Sequence, residues 1–145
     1  MSIANPQHTK ATWSSVFKRK GASGKHTKLF EEFDAIVQKA ITERVRLGED
    51  ELPVIASTPT EQSWFLLTTK RLLLFTGNES ETVETSSIGE VLPAEFGQVK
   101  KEEMSWLKLA TRGGRKLQVQ VEAGPPFFGV WNVLRNAIAR SKSAN

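Results

Sequence analysis

Side chains that commonly perform acid–base, nucleophilic or metal chemistry are few in this sequence. The chain has two histidines, His8 and His26, and no cysteine, which excludes disulfides, thiolate metal sites and cysteine nucleophiles. No HExxH, CxxC or EF-hand spacing occurs, and no G-x-S-x-G elbow is present. We therefore predict no catalytic residue, no metal site and no cofactor, and we expect that the protein is not an enzyme.

A Gly-Lys pair within residues 22–27 resembles part of a phosphate-binding loop. The segment reads Ala-Ser-Gly-Lys-His-Thr, so it lacks the first glycine of the G-x-x-x-x-G-K-[ST] pattern and has histidine where serine or threonine is required. We therefore do not predict a nucleotide-binding loop at this position.

Binding chemistry is better represented, in a predicted β-hairpin of the second half of the chain. Arg112, Arg115 and Lys116 bring like charges together at the hairpin tip, which weakens the hairpin modestly and would suit an anionic partner. The alternative is a charged edge that protects the protein from aggregation. Trp106 and Lys108 lie on the polar face of the same hairpin, where Trp106 is a recognition aromatic or, as we prefer, a contact of a covering helix. These five are the candidate partner-binding residues.

The net charge of +4 is concentrated at the N-terminus. Residues 1–30 contain six basic and no acidic residues, whereas the remainder contains fourteen basic and sixteen acidic residues. We predict that residues 1–28 form a basic flexible arm, with at most a short helix near 13–20. On an anionic bilayer the arm would supply two aromatic anchors and a basic cluster; the alternative is a solubilising tail. These candidate residues are Trp13, Phe17, Lys18, Arg19 and Lys20.

The elements that position these residues follow from the spacing of apolar side chains. Apolar residues three and four apart predict an amphipathic helix over residues 29–47 and another after Pro125 and Pro126. Between the helices, short strand-like segments separated by Gly and Pro predict seven strands. They span residues 51–58, 62–68, 70–76, 82–88, 94–100, 103–111 and 115–122. We divide the chain into the arm at 1–28, the helix at 29–47 and a domain at 48–145.

The hairpin around Gly113 and Gly114 has one register that aligns its apolar residues. A two-residue loop would set Leu107 and Leu109 opposite glutamines, whereas an odd-length loop sets them opposite Leu or Val. We therefore predict an odd-length loop, with Trp106 on the other, mostly polar face.

The strands predicted at 62–68 and 70–76 are apolar on both faces, so both faces must be covered. One face meets the core. We expect the helix at 29–47 to cover the other face within the same chain. A dimer interface or an exposed recognition patch are the alternatives.

Residues 64–74 read Trp-Phe-Leu-Leu-Thr-Thr-Lys-Arg-Leu-Leu-Leu. They resemble the strand, Thr-Asn-Lys-Arg-like turn and following strand of the pleckstrin-homology-like superfold, in particular its GRAM-like and small bacterial members, although Thr69 stands where the family often has Asn. Residues 87–91, the hairpin at 108–121 and Trp131 extend the likeness over about 50–142. The resemblance implies an α+β fold: a seven-stranded antiparallel barrel or sandwich capped by a C-terminal helix. This chain adds an N-terminal amphipathic helix to it.

The resemblance implies a scaffold for binding and does not fix the ligand. Lipid-binding members of the superfold hold inositol phosphates with Lys and Arg on the first two strands and the loop between them. Residues 56–63 contain one acidic and no basic residue, so we predict no specific phosphoinositide site. We expect a non-enzymatic module that binds a protein partner, as a scaffold or adaptor, and the sequence does not identify that partner.

The alternative function is peripheral binding to anionic lipid through the basic arm. Nucleic-acid binding is disfavoured because the residues after the arm are acidic overall and lack an RNP-like aromatic motif. A homodimer remains an open alternative. Apolar runs fall far short of the ~20 residues that span a bilayer, and no secretory signal is visible. We therefore expect a cytoplasmic protein, peripheral at the membrane under the alternative function.

Overall fold

The computed structural model describes residues 5–60, 63–77, 79–93 and 104–143, which form an α+β fold. Its helices are α1 (Pro6–Lys20), α2 (Ala35–Arg44) and α3 (Pro125–Ser143). Its strands are β1 (Thr27–Leu29), β2 (Pro53–Ser57), β3 (Ser63–Thr68), β4 (Arg71–Thr76), β5 (Glu79–Glu84), β6 (Ile88–Pro93), β7 (Met104–Thr111) and β8 (Lys116–Glu122). Single 3-10 turns at 30–32 and 85–87 connect neighbouring elements.

The described strands form two antiparallel sheets. One has the order β1-β2-β3-β4-β5 and the other β6-β7-β8. The α+β class that the sequence predicts is therefore confirmed, but the described strands do not form one closed barrel. Strand β5 begins and ends earlier than the predicted strand 82–88. The 3-10 turn at 85–87 follows it, and β6 begins at Ile88. The predicted strand 94–100 lies outside the described residues.

Helix α1 differs most from the expectation of a flexible arm over residues 1–28. It begins after Asn5, whose side-chain oxygen accepts hydrogen bonds from the amides of Gln7 (2.9 Å) and His8 (3.3 Å), and Pro6 occupies its first position. Trp13 stands three residues before Val16 and four before Phe17, and all three are buried. They belong to a cluster that we call the main core, in which α1 and α3 pack against buried residues of both sheets, among them Leu29, Leu67, Leu107, Leu109, Leu117 and Val119. Burial of this stripe provides the stability that the polar remainder of the helix lacks.

Helix α2 is shorter than the predicted helix at 29–47. Leu29 belongs to β1, where it pairs with Ile55, and Asp34 caps α2 by accepting a hydrogen bond from the amide of Val37 at 2.9 Å. The prediction that this segment covers one side of β3 and β4 within the same chain, the side away from the main core, is confirmed. A second core cluster forms there, composed of Phe30, Phe33, Ile41, Val45, Ala56, Trp64, Leu66 and Leu73.

A buried ion pair fixes the β3–β4 turn. Glu51 is 5% exposed, and its carboxylate accepts hydrogen bonds from Arg71 Nε at 2.7 Å and Thr68 Oγ1 at 2.5 Å. Burial alone would raise the pKa of Glu51. The hydrogen bonds from Arg71, Thr68 and the Gly48 amide, with the charge of Arg71, lower that pKa to about 2. Thr68 and Arg71, which belong to the segment on which the family resemblance rests, thus have a structural role: they hold the turn to Glu51.

Candidate functional site

The register of β7 and β8 separates an inner from an outer side of the second sheet. Leu107 pairs with Val119 and Leu109 with Leu117, and all four are buried in the main core. Lys108 pairs with Gln118 on the opposite side. This is the register that the sequence predicts, and it is confirmed.

The hairpin tip has the predicted odd-length loop. The Thr111 amide donates to the carbonyl of Arg115 at 2.8 Å, which leaves residues 112–114 as the loop. Gly114 has φ of +94°, in the left-handed region that favours glycine, and its amide donates to the carbonyl of Thr111 at 3.0 Å. This local geometry fixes which residues of the hairpin face outward.

The outward side chains of this sheet form a surface that we call the outer face, composed of Glu90, Leu92, Trp106, Lys108, Lys116, Gln118 and Gln120. Leu92 is 50% exposed and Trp106 is 43% exposed. Leu92 pairs with Lys108 across the β6–β7 ladder, beside a groove of about 430 Å³ that Lys116 and Gln118 also line. Two apolar anchors and two ammonium groups thus share one surface, and the seven described residues named above include one carboxylate, that of Glu90.

Trp106 stands where the outer face meets the first sheet. It lines a narrow cleft of about 50 Å³ with Trp64, Phe75 and Gln120, and the rings of Trp64 and Phe75 are stacked at 4.0 Å. Trp106 is 43% exposed, and the other residues that line this cleft belong to β3, β4, β8 and the turn after β2 and not to α2. The lining therefore does not include the helical lid that the sequence interpretation preferred as the contact. The recognition role of Trp106 stays a prediction.

The structure separates the two arginines of the hairpin tip from the rest of the candidate set. Arg112 Nη2 donates to Ser141 Oγ of α3 at 2.6 Å. Arg115 Nη1 donates to the carbonyl of Thr82 in β5 at 3.1 Å, and its Nη2 lies 3.9 Å from Glu81 Oε2. Of the five predicted partner-binding residues, Trp106, Lys108 and Lys116 share the outer face. The arginines connect the tip to neighbouring elements.

The aromatic residues expected to anchor the N-terminal arm in a bilayer are core residues. Trp13 is 3% exposed and Phe17 is 0% exposed. Lys18, Arg19 and Lys20 are exposed in the last turn of α1, where positive charge suits the helix dipole. The three basic residues of the predicted anionic-surface set thus lie at the surface. The two aromatic residues do not, and their predicted role as anchors is wrong.

Backbone amides within residues 22–27 bind a carboxylate from the same chain, that of Glu122. The amides of Lys25, His26 and Thr27 donate to the Glu122 carboxylate at 2.9, 2.6 and 2.9 Å. Burial alone would raise the pKa of Glu122, but these three hydrogen bonds lower it. An added Cβ at Gly24 would lie 2.5 Å from the carboxylate. Gly24, in the segment that resembles part of a phosphate-binding loop, therefore leaves room for the Glu122 carboxylate. The hydrogen bonds to this carboxylate connect the end of β8 with the start of β1.

A second groove, of about 420 Å³, lies between α2 and the turn after β2. Ile36, Ala40 and Trp64 line it, and Ile36 is 82% exposed. The guanidinium of Arg44 lies 5.9 Å from the centre of the Trp64 ring. The basic side chain of Arg44 therefore lies near residues 58–60, a turn whose own sequence has no basic residue. Tertiary packing of α2 is responsible for this proximity.

Within the described residues, no group of three or more His, Asp or Glu side chains could hold a metal ion. None of the helices in that same part of the chain is long and apolar enough to cross a membrane. No family model and no curated protein sequence matches the chain.

Proposed function

We propose that this protein is a non-enzymatic binding module with a PH-like fold, which binds an acidic segment of a protein partner on its outer face. The order of the elements supports the fold assignment. A run of antiparallel strands, β2 to β5, precedes a second sheet and a closing helix, the order that the sequence resemblance implies. The observation that carries the function is the joint exposure of Trp106 and Leu92 beside Lys108 and Lys116.

The outer face has the composition of a binding hot spot. Trp is enriched among residues that dominate binding energy, and burial of an apolar side chain contributes about 25 cal/mol per Å². The inner side of the same strands is fixed in the core by Leu107 and Val119, so little conformational entropy is lost when a partner binds. Among the seven described residues of the outer face, the two ammonium groups outnumber the one carboxylate, that of Glu90, and so favour a partner with negative charge.

A peptide-display selection tests this proposal. Random peptides are selected on the full chain, on the variant Trp106→Ser/Lys108→Glu and on the control Lys39→Glu, which reverses one exposed charge on α2. We expect the wild type and the control to enrich peptides in which Asp or Glu flanks an aromatic or aliphatic residue. The double variant should not enrich them. Equal enrichment by all three proteins would contradict the proposal.

A further inference from the structure

Helices α1 and α3 divide the charge of the molecule unevenly. Together they contain none of the 16 acidic residues and seven of the 20 lysines and arginines. The seven are Lys10, Lys18, Arg19, Lys20, Arg135, Arg140 and Lys142. The rest of the chain therefore has more acidic than basic residues. The net positive charge of the protein therefore comes from these two helices and not from the rest of the chain.

The two helices form one antiparallel layer. Trp13 Nε1 donates to Asn136 Oδ1 at 3.1 Å, and Phe17 lies against Gly129, one to two turns earlier in α3. At Gly21 an added Cβ would collide with the carbonyl oxygen of Pro125. The basic end of α1 is consequently adjacent to the first turns of α3.

One exposed and one partly buried aromatic ring occupy those first turns of α3. Phe128 is 49% exposed, Trp131 is partly buried, and their ring centres lie 6.4 Å apart. One turn further, the guanidinium of Arg135 lies 5.9 Å from the Trp131 ring. Aromatic side chains beside basic side chains are typical of surfaces that lie in the headgroup region of a bilayer.

We propose that the α1–α3 layer is a docking surface for an anionic phospholipid bilayer. Phe128 and the edge of Trp131 enter the headgroup region, and Lys18, Arg19 and Lys20 contact the lipid phosphates and carboxylates. The complementarity is electrostatic and general, so it requires a negatively charged surface and no particular headgroup. In this proposal the aromatic anchors are Phe128 and Trp131 of α3. The sequence analysis had predicted Trp13 and Phe17 of α1 for that role.

The ring geometry favours a bilayer over a nucleic acid. Base stacking requires open aromatic faces. Phe127 and Phe128 meet edge to face at 87°, Phe128 and Trp131 are inclined by 36°, and Arg135 lies over Trp131. Contact with the lipid interface makes no such demand on ring orientation.

Docking through this layer leaves the outer face free. Val130, Val133 and Leu134 of α3 share the main core with Leu107 and Val119, the inner residues of the second sheet. The outer face lies on the opposite side of that sheet. A molecule bound to lipid through α1 and α3 would therefore still present Trp106 to a protein partner, although the lipid surface does not depend on that proposed function.

Vesicle flotation of the full chain tests the proposal. Vesicles of phosphatidylcholine alone are compared with vesicles that also contain phosphatidylserine, at low and at physiological salt. The variant Lys18→Glu/Arg19→Glu is paired with the control Lys39→Glu/Arg46→Glu, which reverses two exposed charges outside the layer. Thermal unfolding of each protein verifies that it is folded.

We expect binding only to vesicles with phosphatidylserine and a decline with salt. Partitioning should fall about tenfold or more in Lys18→Glu/Arg19→Glu and change little in the control, since each lost basic residue weakens attraction to the surface. Equal partitioning of the two variants, or no binding to phosphatidylserine vesicles at low salt, would overturn the proposal. So would binding of a labelled oligonucleotide that requires Lys18 and Arg19 in the absence of vesicle binding.

The aromatic contact is tested with Phe128→Trp, which keeps a ring and adds a fluorophore at the proposed depth. Vesicles of brominated phosphatidylserine should quench the added emission, measured as the difference from the wild type. Phe128→Ser should bind less at physiological salt, where charge alone is screened. An unquenched Trp at position 128 on bound vesicles would show that α3 does not enter the interface.

Discussion

The ring of Phe17 lies directly against Gly129, so that a side chain at position 129 would meet the ring at 2.5 Å. This contact joins the N-terminal helix to the C-terminal one and makes α1 part of the core. The prediction of a flexible arm over residues 1–28 is therefore wrong for α1. Removal of residues 1–28 would expose the side of α3 that α1 covers.

Phe17→Ala should lower the free energy of unfolding by about 3–5 kcal/mol, because the ring is fully buried. Gly129→Ala should destabilise by about 1–3 kcal/mol through overpacking. Gly113→Ala is the control, since the nearest atom to its added Cβ is Thr111 Oγ1 at 3.9 Å. Urea denaturation measures all three. A Phe17→Ala protein as stable as the wild type would show that α1 does not pack as described.

Glu51→Gln should destabilise the protein by about 3 kcal/mol near neutral pH, because it leaves Arg71 without its buried counter-charge. The folded pKa of Glu51, about 2, is lower than the ordinary value of 4.5. Its contribution is therefore complete above pH 4.5 and is lost as the pH falls from 4.5 to 2. Denaturation series for both proteins should differ at neutral pH and converge at low pH. A constant difference would contradict the assignment.

Glu122→Gln should release the segment that precedes β1. The neutral amide cannot accept the three backbone hydrogen bonds as strongly, so stability should fall by roughly 1–3 kcal/mol. Hydrogen exchange at the amides of Lys25, His26 and Thr27 should accelerate. Glu43→Gln, an exposed change on α2, is the control and should alter neither quantity. Unchanged exchange at the three amides would show that the carboxylate does not hold them.

We also expect no saturable binding of a soluble inositol phosphate by the full chain. The turn after β2 contributes no basic residue, and among the described residues that line the groove beside it Arg44 is the one with a basic side chain. One guanidinium does not form the multiple charge-assisted contacts that specific phosphate recognition requires. A titration followed by NMR chemical shifts measures the binding. Saturable, stereospecific shifts around Arg44 and Thr58 would contradict the expectation, whereas vesicle binding through α1 and α3 would not.

The parts of the fold that the sequence predicts correctly are those with a strong local period. Alternation along β7 and β8, with an odd-length loop at the turn, is sufficient to predict that Trp106 and Lys108 lie on the side opposite Leu107 and Leu109. Helix α1 has a short apolar stripe in a polar segment, and its stability comes from α3, more than 100 residues away. Such a tertiary contribution leaves no local signal.

The candidate site was predicted only in part, because tertiary packing, which leaves no local sequence signal, determines the position of several of its residues. The twist of the hairpin tip, which sends Arg112 toward α3 and Arg115 toward β5, cannot be deduced from residue spacing. Leu92 was missed because the predicted strands ended at 88 and resumed at 94. The exposure of Phe128 was hidden because its helix has aromatic residues at two adjacent positions, and only packing determines which one is buried.

The central claim, that the outer face binds an acidic protein segment, is tested most directly by NMR mapping on the full chain. A peptide enriched in the display selection is titrated into isotopically labelled wild type and into Trp106→Ser. We predict saturable shift changes concentrated at Leu92, Trp106, Lys108, Lys116 and Gln118, and their loss in the variant. Shifts concentrated on α1 and α3 or along the groove beside α2, and retained in Trp106→Ser, would contradict the account.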